Sequence, residues 1–294
     1  MRLVGAISWF DHFFADGEYH EFEHNASSLL MRQELRMESG PRAVPRVYAR
    51  LDLHLPQLGE RFQHLHVVVY AQSFARDVAD AVLSVRDRLA GPPRNDVAEG
   101  AGGAAELRLD LLHAFFAHAD VGGGLRLELP PGAYVRARLR STLRVAPRTA
   151  ARFTELAFLD TIQRLGASAH GQLEHQLDAA TLLRADAVAS VAQTSRGWEW
   201  GGELSGLRAL TSTTALGLSA GFSGHGQGGP VVDTWRLATR LRAEAFRRWV
   251  YVEAEPELAW PLDLLTRSRR RVLAVTVRLD VQFSADPEPR APDR

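Results

Sequence analysis

The sequence predicts an all-β fold: an antiparallel up-and-down transmembrane β-barrel of about fourteen strands, with twelve as the alternative, and one short helix in a long loop. Three observations predict it. Apolar and polar residues alternate with period two from about residue 25 to residue 283. Turn residues break that alternation at hairpin spacing. The polar faces carry guanidinium and carboxylate groups in numbers that neither a soluble core nor a lipid-facing wall would take.

Composition bounds the function classes. The chain has 294 residues, 35 basic and 35 acidic, with a formal net charge of +0. That is not the basic footprint of a nucleic-acid binder, so no nucleic-acid partner is expected. Every basic residue is arginine, whose planar fork pairs bidentately with carboxylates where lysine cannot. Cysteine is absent, which excludes disulfide frameworks, thiolate metal sites and thiol catalysis. No run reaches the roughly 18 apolar residues of a spanning helix. Barrel strands need apolar residues only at alternate positions.

Residues 1–24 form a leading segment. Met1-Arg2 and the run Leu3 to Phe10 make a poor export signal, because Asp11 and His12 interrupt it. The expectation is a signal peptide upstream of this start. Trp9, Phe10, Phe13 and Phe14 fall at helical spacing and predict a short amphipathic segment resting on a barrel mouth or a lipid interface.

The barrel is expected over 25–283. In the first strand Leu29, Met31, Gln33, Leu35 and Met37 make one face and Leu30, Arg32, Glu34, Arg36 and Glu38 the other. Val47, Ala49, Leu51 and Leu53 then oppose Arg46, Tyr48, Arg50, Asp52 and His54, and a third strand follows from Phe62 to about Gln72. Phe74, Val78, Ala81, Val82, Val85 and Leu89 instead keep a 3.6-residue period, which predicts a helix stopped by Gly91-Pro92-Pro93 within a long loop at 73–104. Strands resume at about 105–117, 122–129, 133–144, 151–163, 166–178, 181–194, 198–210, 214–224, 231–246, 249–260 and 270–283. The shortest, 122–129, opens on three glycines. The glycine-rich stretches at 100–103, 122–124 and 224–229 read as turns. Residues 284–294 are Pro-rich and charged and are expected to be a disordered tail.

The last strands distinguish a membrane barrel from a soluble one. Arg236, Arg240 and Arg242 share one face, Glu253, Glu255 and Glu257 the face of the next strand, and Arg278 and Asp280 that of the last. Arg136, Arg138 and Arg140 repeat the pattern earlier. Their opposite faces are apolar, and Trp198, Trp200, Trp249 and Trp260 lie near strand ends, where interfacial girdles sit. The charged rows are therefore expected to line or close a polar lumen, with outer-membrane lipids against the other face.

Four stretches carry a resemblance: Asn25-Ala26-Ser27-Ser28-Leu29-Leu30 after Trp9-Phe10-Asp11; Leu55-Pro56-Gln57-Leu58-Gly59-Glu60-Arg61; Ala133 to Arg140; and Trp249-Val250-Tyr251-Val252-Glu253-Ala254-Glu255-Pro256-Glu257-Leu258-Ala259-Trp260-Pro261. With these, the chain resembles a group of uncharacterised proteobacterial outer-membrane barrel proteins from Trp9 to Phe283. The resemblance implies fold and a location in the bacterial outer membrane and brings no activity with it.

Enzymatic motifs are scarce: there is no Walker loop, no G-x-S-x-G and no H-E-x-x-H. No cofactor is expected. A hairpin of the second and third strands would gather His54, Asp52, His64 and His66, a weak candidate for a divalent metal that more simply reads as hydrogen-bonded lumen lining. The expected function is a barrel without catalysis, either channel-like or a scaffold with an Arg/Glu-lined lumen. The alternatives are a lipid-active outer-membrane enzyme, for which His175 lacks a convincing serine, and a barrel that anchors another cell-envelope protein.

Overall fold

The computed structural model describes residues 7, 9–11 and 13–14, and then 27–39, 43–54, 65–71, 103–114, 116–127, 131–161, 164–195, 197–226, 229–263 and 266–284. The strands are β1 (Ser28–Glu38), β2 (Ala43–His54), β3 (Leu65–Ala71), β4 (Gly103–Ala114), β5 (Ala117–Arg126), β6 (Gly132–Ala146), β7 (Thr149–Asp160), β8 (Arg164–Gln176), β9 (Thr181–Ala192), β10 (Trp198–Ala209), β11 (Thr214–His225), β12 (Val231–Ala245), β13 (Arg247–Asp263), β14 (Ser268–Arg269) and β15 (Val272–Ser284). β1 to β13 each pair antiparallel with the next in sequence, and the two-residue β14 pairs only with the end of β13. β15 pairs with β13 on one side and with β1 on the other, from Ser28↔Ser284 to Glu38↔Ala274. The sheet is thus a closed fourteen-strand barrel, and closure leaves no unpaired edge.

Alternation sorts the two walls. Along β6, Tyr134, Arg136, Arg138 and Arg140 are buried while Val135, Leu139, Leu143 and Val145 are exposed. Along β13, Tyr251, Glu253, Glu255 and Glu257 are buried and Val252 is exposed. Charge inside and aliphatic side chains outside invert a soluble protein and suit a hydrocarbon surround. Polar side chains break the outer wall near mid-strand, among them Gln33 on β1 and Glu155 on β7.

Aromatic rings mark both rims. Trp198 and Trp200 stack at 5.8 Å, Trp200 meets Phe222 at 5.5 Å, and Phe222 meets Trp235, which is the register partner of Trp260. Trp249 packs on Phe283 at the opposite rim. On β13 the two levels, 249 and 260, are separated by eleven residues. At about 3.4 Å per residue and a tilt of about 40° they lie about 29 Å apart along the barrel axis, close to the apolar height of such barrels. Phe222 also covers Gly202 across the strand pair: a Cβ on Gly202 would sit 2.9 Å from its ring.

Two sequence expectations need correction. β4 ends at Ala114 and β5 begins at Ala117, so the strand expected at 122–129 is β5 and the reversal falls before it. Gly122-Gly123-Gly124 are consequently inside a strand and not at a turn. Gly122 and Gly124 give up side chains because Glu106 and Tyr134 fill that space: a Cβ would lie 2.5 Å from Glu106 Oε1 and 2.8 Å from the Tyr134 hydroxyl. The sequence leaves the leading segment a choice of barrel mouth or lipid interface. Its described residues are helical, and Ile7, Trp9, Phe10, Phe13 and Phe14 are buried in one cluster with the inward residues Ala150, Leu182, Leu207, Ala215 and Tyr251. The aromatic segment packs on inward residues close to the strand ends at one rim, so it lies within the mouth of the barrel and not on lipid. The helix expected at 74–89, with most of the 73–104 loop, and the tail beyond Ser284 lie outside the described residues.

Candidate functional site

The candidate site is the lumen. Its polar side chains come from alternate positions of every long strand, so the register that places apolar groups outward also forces these inward. On β12, β13, β15 and β1 they interlock. Arg32 grips Asp280 through two bonds of 2.8 Å, and Arg242 Nη1 donates to the same carboxylate at 2.5 Å. Arg242 stacks its guanidinium over Tyr251 at 4.6 Å. Glu253 accepts from Arg240 at 3.2 and 3.1 Å, from Arg242 at 3.3 Å and from Arg278. Arg278 also reaches Glu255 and Glu34, each at 2.7 Å. Arg236 pairs with Glu255 and, at 2.7 Å, with Glu257, which Arg36 holds from β1 at 2.8 Å.

The wall from β2 to β7 is a second network. Arg136 Nη2 donates to Glu106 at 2.5 Å, and the Tyr134 hydroxyl donates to the same carboxylate at 2.8 Å. Arg138 pairs with Asp120 and Arg126 with Asp160, both at 2.8 Å. Asp52, His54 and His66 do meet: His66 Nδ1 lies 3.0 Å from Asp52 Oδ1, and His66 Nε2 lies 3.3 Å from His54 Nδ1. Arg108 donates to the other Asp52 oxygen at 3.1 Å. Asp52 is thus held between an imidazole and a guanidinium, and a cation next to a carboxylate works against binding a second cation there. Among the described residues no group of three such side chains is arranged to hold a metal ion, and His64 lies outside them.

The N-terminal helix completes the third network. Asp11 Oδ2 accepts from Arg152 Nη1 at 2.8 Å and Asp11 Oδ1 from Arg184 Nη2. Both arginines also hold Glu174, at 3.0 Å from Arg152 and 2.8 Å from Arg184. Arg240 donates to the Phe14 carbonyl and stacks over the Phe14 ring at 4.8 Å. Phe13 meets Tyr251 edge-on at 5.4 Å. The sequence reading missed Asp11, Arg152, Arg184 and Glu174. The available signal was an acid directly after Phe10, at the edge of the apolar stripe.

These parts occupy the lumen beside β7 to β13. Fourteen strands at a tilt of about 40° put the backbone on a cylinder about 28 Å across, and a helix with its side chains takes about 10–12 Å. The space between Gln172, Arg184, Asp186, Glu203, Arg236 and Arg240 is about 20 Å³, enough for roughly one water. The eleven charged residues the sequence assigns to the lumen all lie on the inward face, buried or nearly so: Arg136, Arg138, Arg140, Arg236, Arg240, Arg242, Glu253, Glu255, Glu257, Arg278 and Asp280.

On the outer wall, His175 Nδ1 lies 2.9 Å from Thr149 Oγ1. A hydroxyl and an imidazole are two parts of a nucleophilic triad, but among the described contacts no acid or amide orients this ring.

No protein-family model and no curated protein sequence matches the chain. Among solved structures the chain is similar to Pseudomonas aeruginosa OccK11 (OpdR), at 12% identity and a TM-score of 0.47, over 89% of this chain and 96% of that one. It is similar to the outer membrane channel DcaP of Acinetobacter baumannii, at 7% identity and a TM-score of 0.49, over 87% and 96%. It is also similar to the KdgM porin in complex with disordered oligogalacturonate, at 5% identity and a TM-score of 0.40, over 86% and 99%.

Proposed function

We propose that this protein is a non-catalytic channel of the bacterial outer membrane, closed at rest by its own N-terminal helix and by the ion pairs of its lumen wall. The closed, even-numbered antiparallel barrel with an aliphatic outer wall supports the location. Outer-membrane lipids are then its solvent. The observation that carries the channel reading is the Asp11 clamp. The wall is continuous and rigid, while the helix is fastened to it through one carboxylate on two arginines and an aromatic face, so the part that blocks the bore is separable from the part that forms it.

Planar-bilayer recording tests this. The wild-type barrel is expected to stay mostly closed, and Asp11→Asn to give frequent discrete steps. An Asp11→Asn protein that keeps heat-modifiable migration on SDS gels yet is as silent as wild type would overturn the reading.

A further inference from the structure

We infer that the N-terminal helix occupies a ligand site in the lumen, and that the ligand it stands in for is a monocarboxylate with an aromatic body. Much of the lumen wall is built of charged, amide and hydroxyl groups, with scattered apolar side chains such as Val68, Leu156 and Val188. The helix seat gathers the larger of the two buried apolar clusters among the described residues. There Ala150, Leu182, Leu207, Ala215 and Tyr251 make a buried apolar floor, and four aromatic rings lie on it. Gly217 removes a side chain from the same floor, leaving 3.9 Å between a Cβ there and the Phe14 ring. Directly beside the floor stand Arg152 and Arg184, with Asp11 between them.

The helix therefore presents one carboxylate to a pair of arginines and places rings on an apolar surface next to it. Each feature names part of a ligand. A pair of guanidiniums selects a carboxylate by forked hydrogen bonds. The floor selects an apolar body. Tyr251 takes a ring edge-on and Arg240 takes one face-on, which favours aromatic over alkyl groups. Glu174 sits on the same two arginines, so helix and wall together make a cluster of two guanidiniums and two carboxylates. When the helix leaves, the cluster loses one negative charge, and a ligand carrying one carboxylate restores it. A dicarboxylate adds one charge too many, and a neutral aromatic restores none. Helix and ligand cannot share the seat, so such a ligand opens the bore by displacing its plug. That consequence rests on the channel reading, but the binding does not.

The chain has no cysteine, so a single introduced one is a clean reporter. Ile7 is buried in the helix seat, and in the otherwise full-length Ile7→Cys protein the thiol is shielded from a maleimide while the helix is docked. In detergent, 1-naphthoate is expected to raise the labelling rate saturably by about tenfold or more, the scale of a lost charged hydrogen bond. The neutral isostere 1-naphthamide is expected to leave the rate unchanged, and decanoate to act more weakly than naphthoate. Adding Arg184→Gln raises the basal rate and removes the naphthoate response. Naphthoate without effect, or naphthamide with the same effect, overturns the proposal, and decanoate equal to naphthoate overturns its aromatic part. The acid–amide comparison needs no second variant, and it stands whether or not the barrel conducts.

Discussion

Leu204 and Leu210 test the claim on which the proposed channel depends, that the outer wall faces hydrocarbon. Leu204 projects outward from the middle of β10 and is 60% exposed; Leu210 follows the end of the same strand and is 40% exposed. Six residues separate each from the next along the series Trp198, Leu204 and Leu210. At about 3.4 Å per residue and a tilt of about 40°, each step is about 16 Å along the barrel axis. With the two aromatic levels about 29 Å apart, Leu204 lies near the midplane and Leu210 near the far interface. An arginine at the midplane costs about 2–4 kcal/mol, and at an interface about 0–1 kcal/mol. Leu204→Arg should therefore shift the folding equilibrium by about 30-fold to 1,000-fold, and Leu210→Arg by less than about fivefold. Urea titration of the tryptophan emission in phospholipid vesicles reads both. Equal costs at the two positions, or no cost at Leu204, would refute a membrane-spanning wall. In a soluble barrel both leucines are simply surface residues, and both arginines would be tolerated.

Other perturbations follow from particular contacts. Glu253→Ala leaves Arg240, Arg242 and Arg278 without their shared buried carboxylate, and the expected loss is about 3–5 kcal/mol by the same titration; a loss under about 1 kcal/mol would mean that water and neighbouring carboxylates fill in. Gly122→Ala forces a methyl against Glu106, which Arg136 and Tyr134 pin in place, and should cost about 1–3 kcal/mol, whereas Gly123→Ala meets only an ordinary contact at 3.5 Å and should be near neutral. Equal midpoints for these two neighbours would count against the lumen packing described. Phe222→Ala uncovers Gly202 on the outer wall and should lower stability by about 1 kcal/mol, the upper range of a cross-strand pair. Glu155→Leu replaces a carboxylate at mid-wall with an aliphatic side chain and should raise the unfolding midpoint; a lowered midpoint would indicate that the carboxylate has a partner in the membrane.

Much of this fold was legible because alternation is a strict code. A one-residue slip exchanges the two walls, so rows such as Arg236, Arg240 and Arg242 against Glu253, Glu255 and Glu257 fix both strand and register. Arg242 and Glu253 are indeed partners across β12 and β13. The code fails where residues have no face. Gly122 and Gly124 look like punctuation because a missing side chain cannot alternate, yet they are absent side chains on the inner wall that make room for Glu106 and Tyr134. The true reversal, between Ala114 and Ala117, carries no Gly, Pro, Asn or Asp, and Phe116 stands exposed beside it at the rim, where aromatic residues suit the interface.

The choice between mouth and lipid was open for a different reason. Helical spacing of aromatic residues says that one stripe will be covered, not by what, and a lipid interface and a lumen seat satisfy it equally. The decision rests with Asp11. Asp11 stands at the edge of the aromatic stripe, about 100° round the helix from Phe10, where it needs polar partners beside an apolar surface. Inside this barrel the same carboxylate meets two arginines whose strands had already turned them inward for want of any other place to go. The inverted wall thus creates the condition for its own helix seat. Once charge is confined to the lumen, an acid on an aromatic helix finds both of its halves satisfied there, by Arg152 and Arg184 beside the apolar floor.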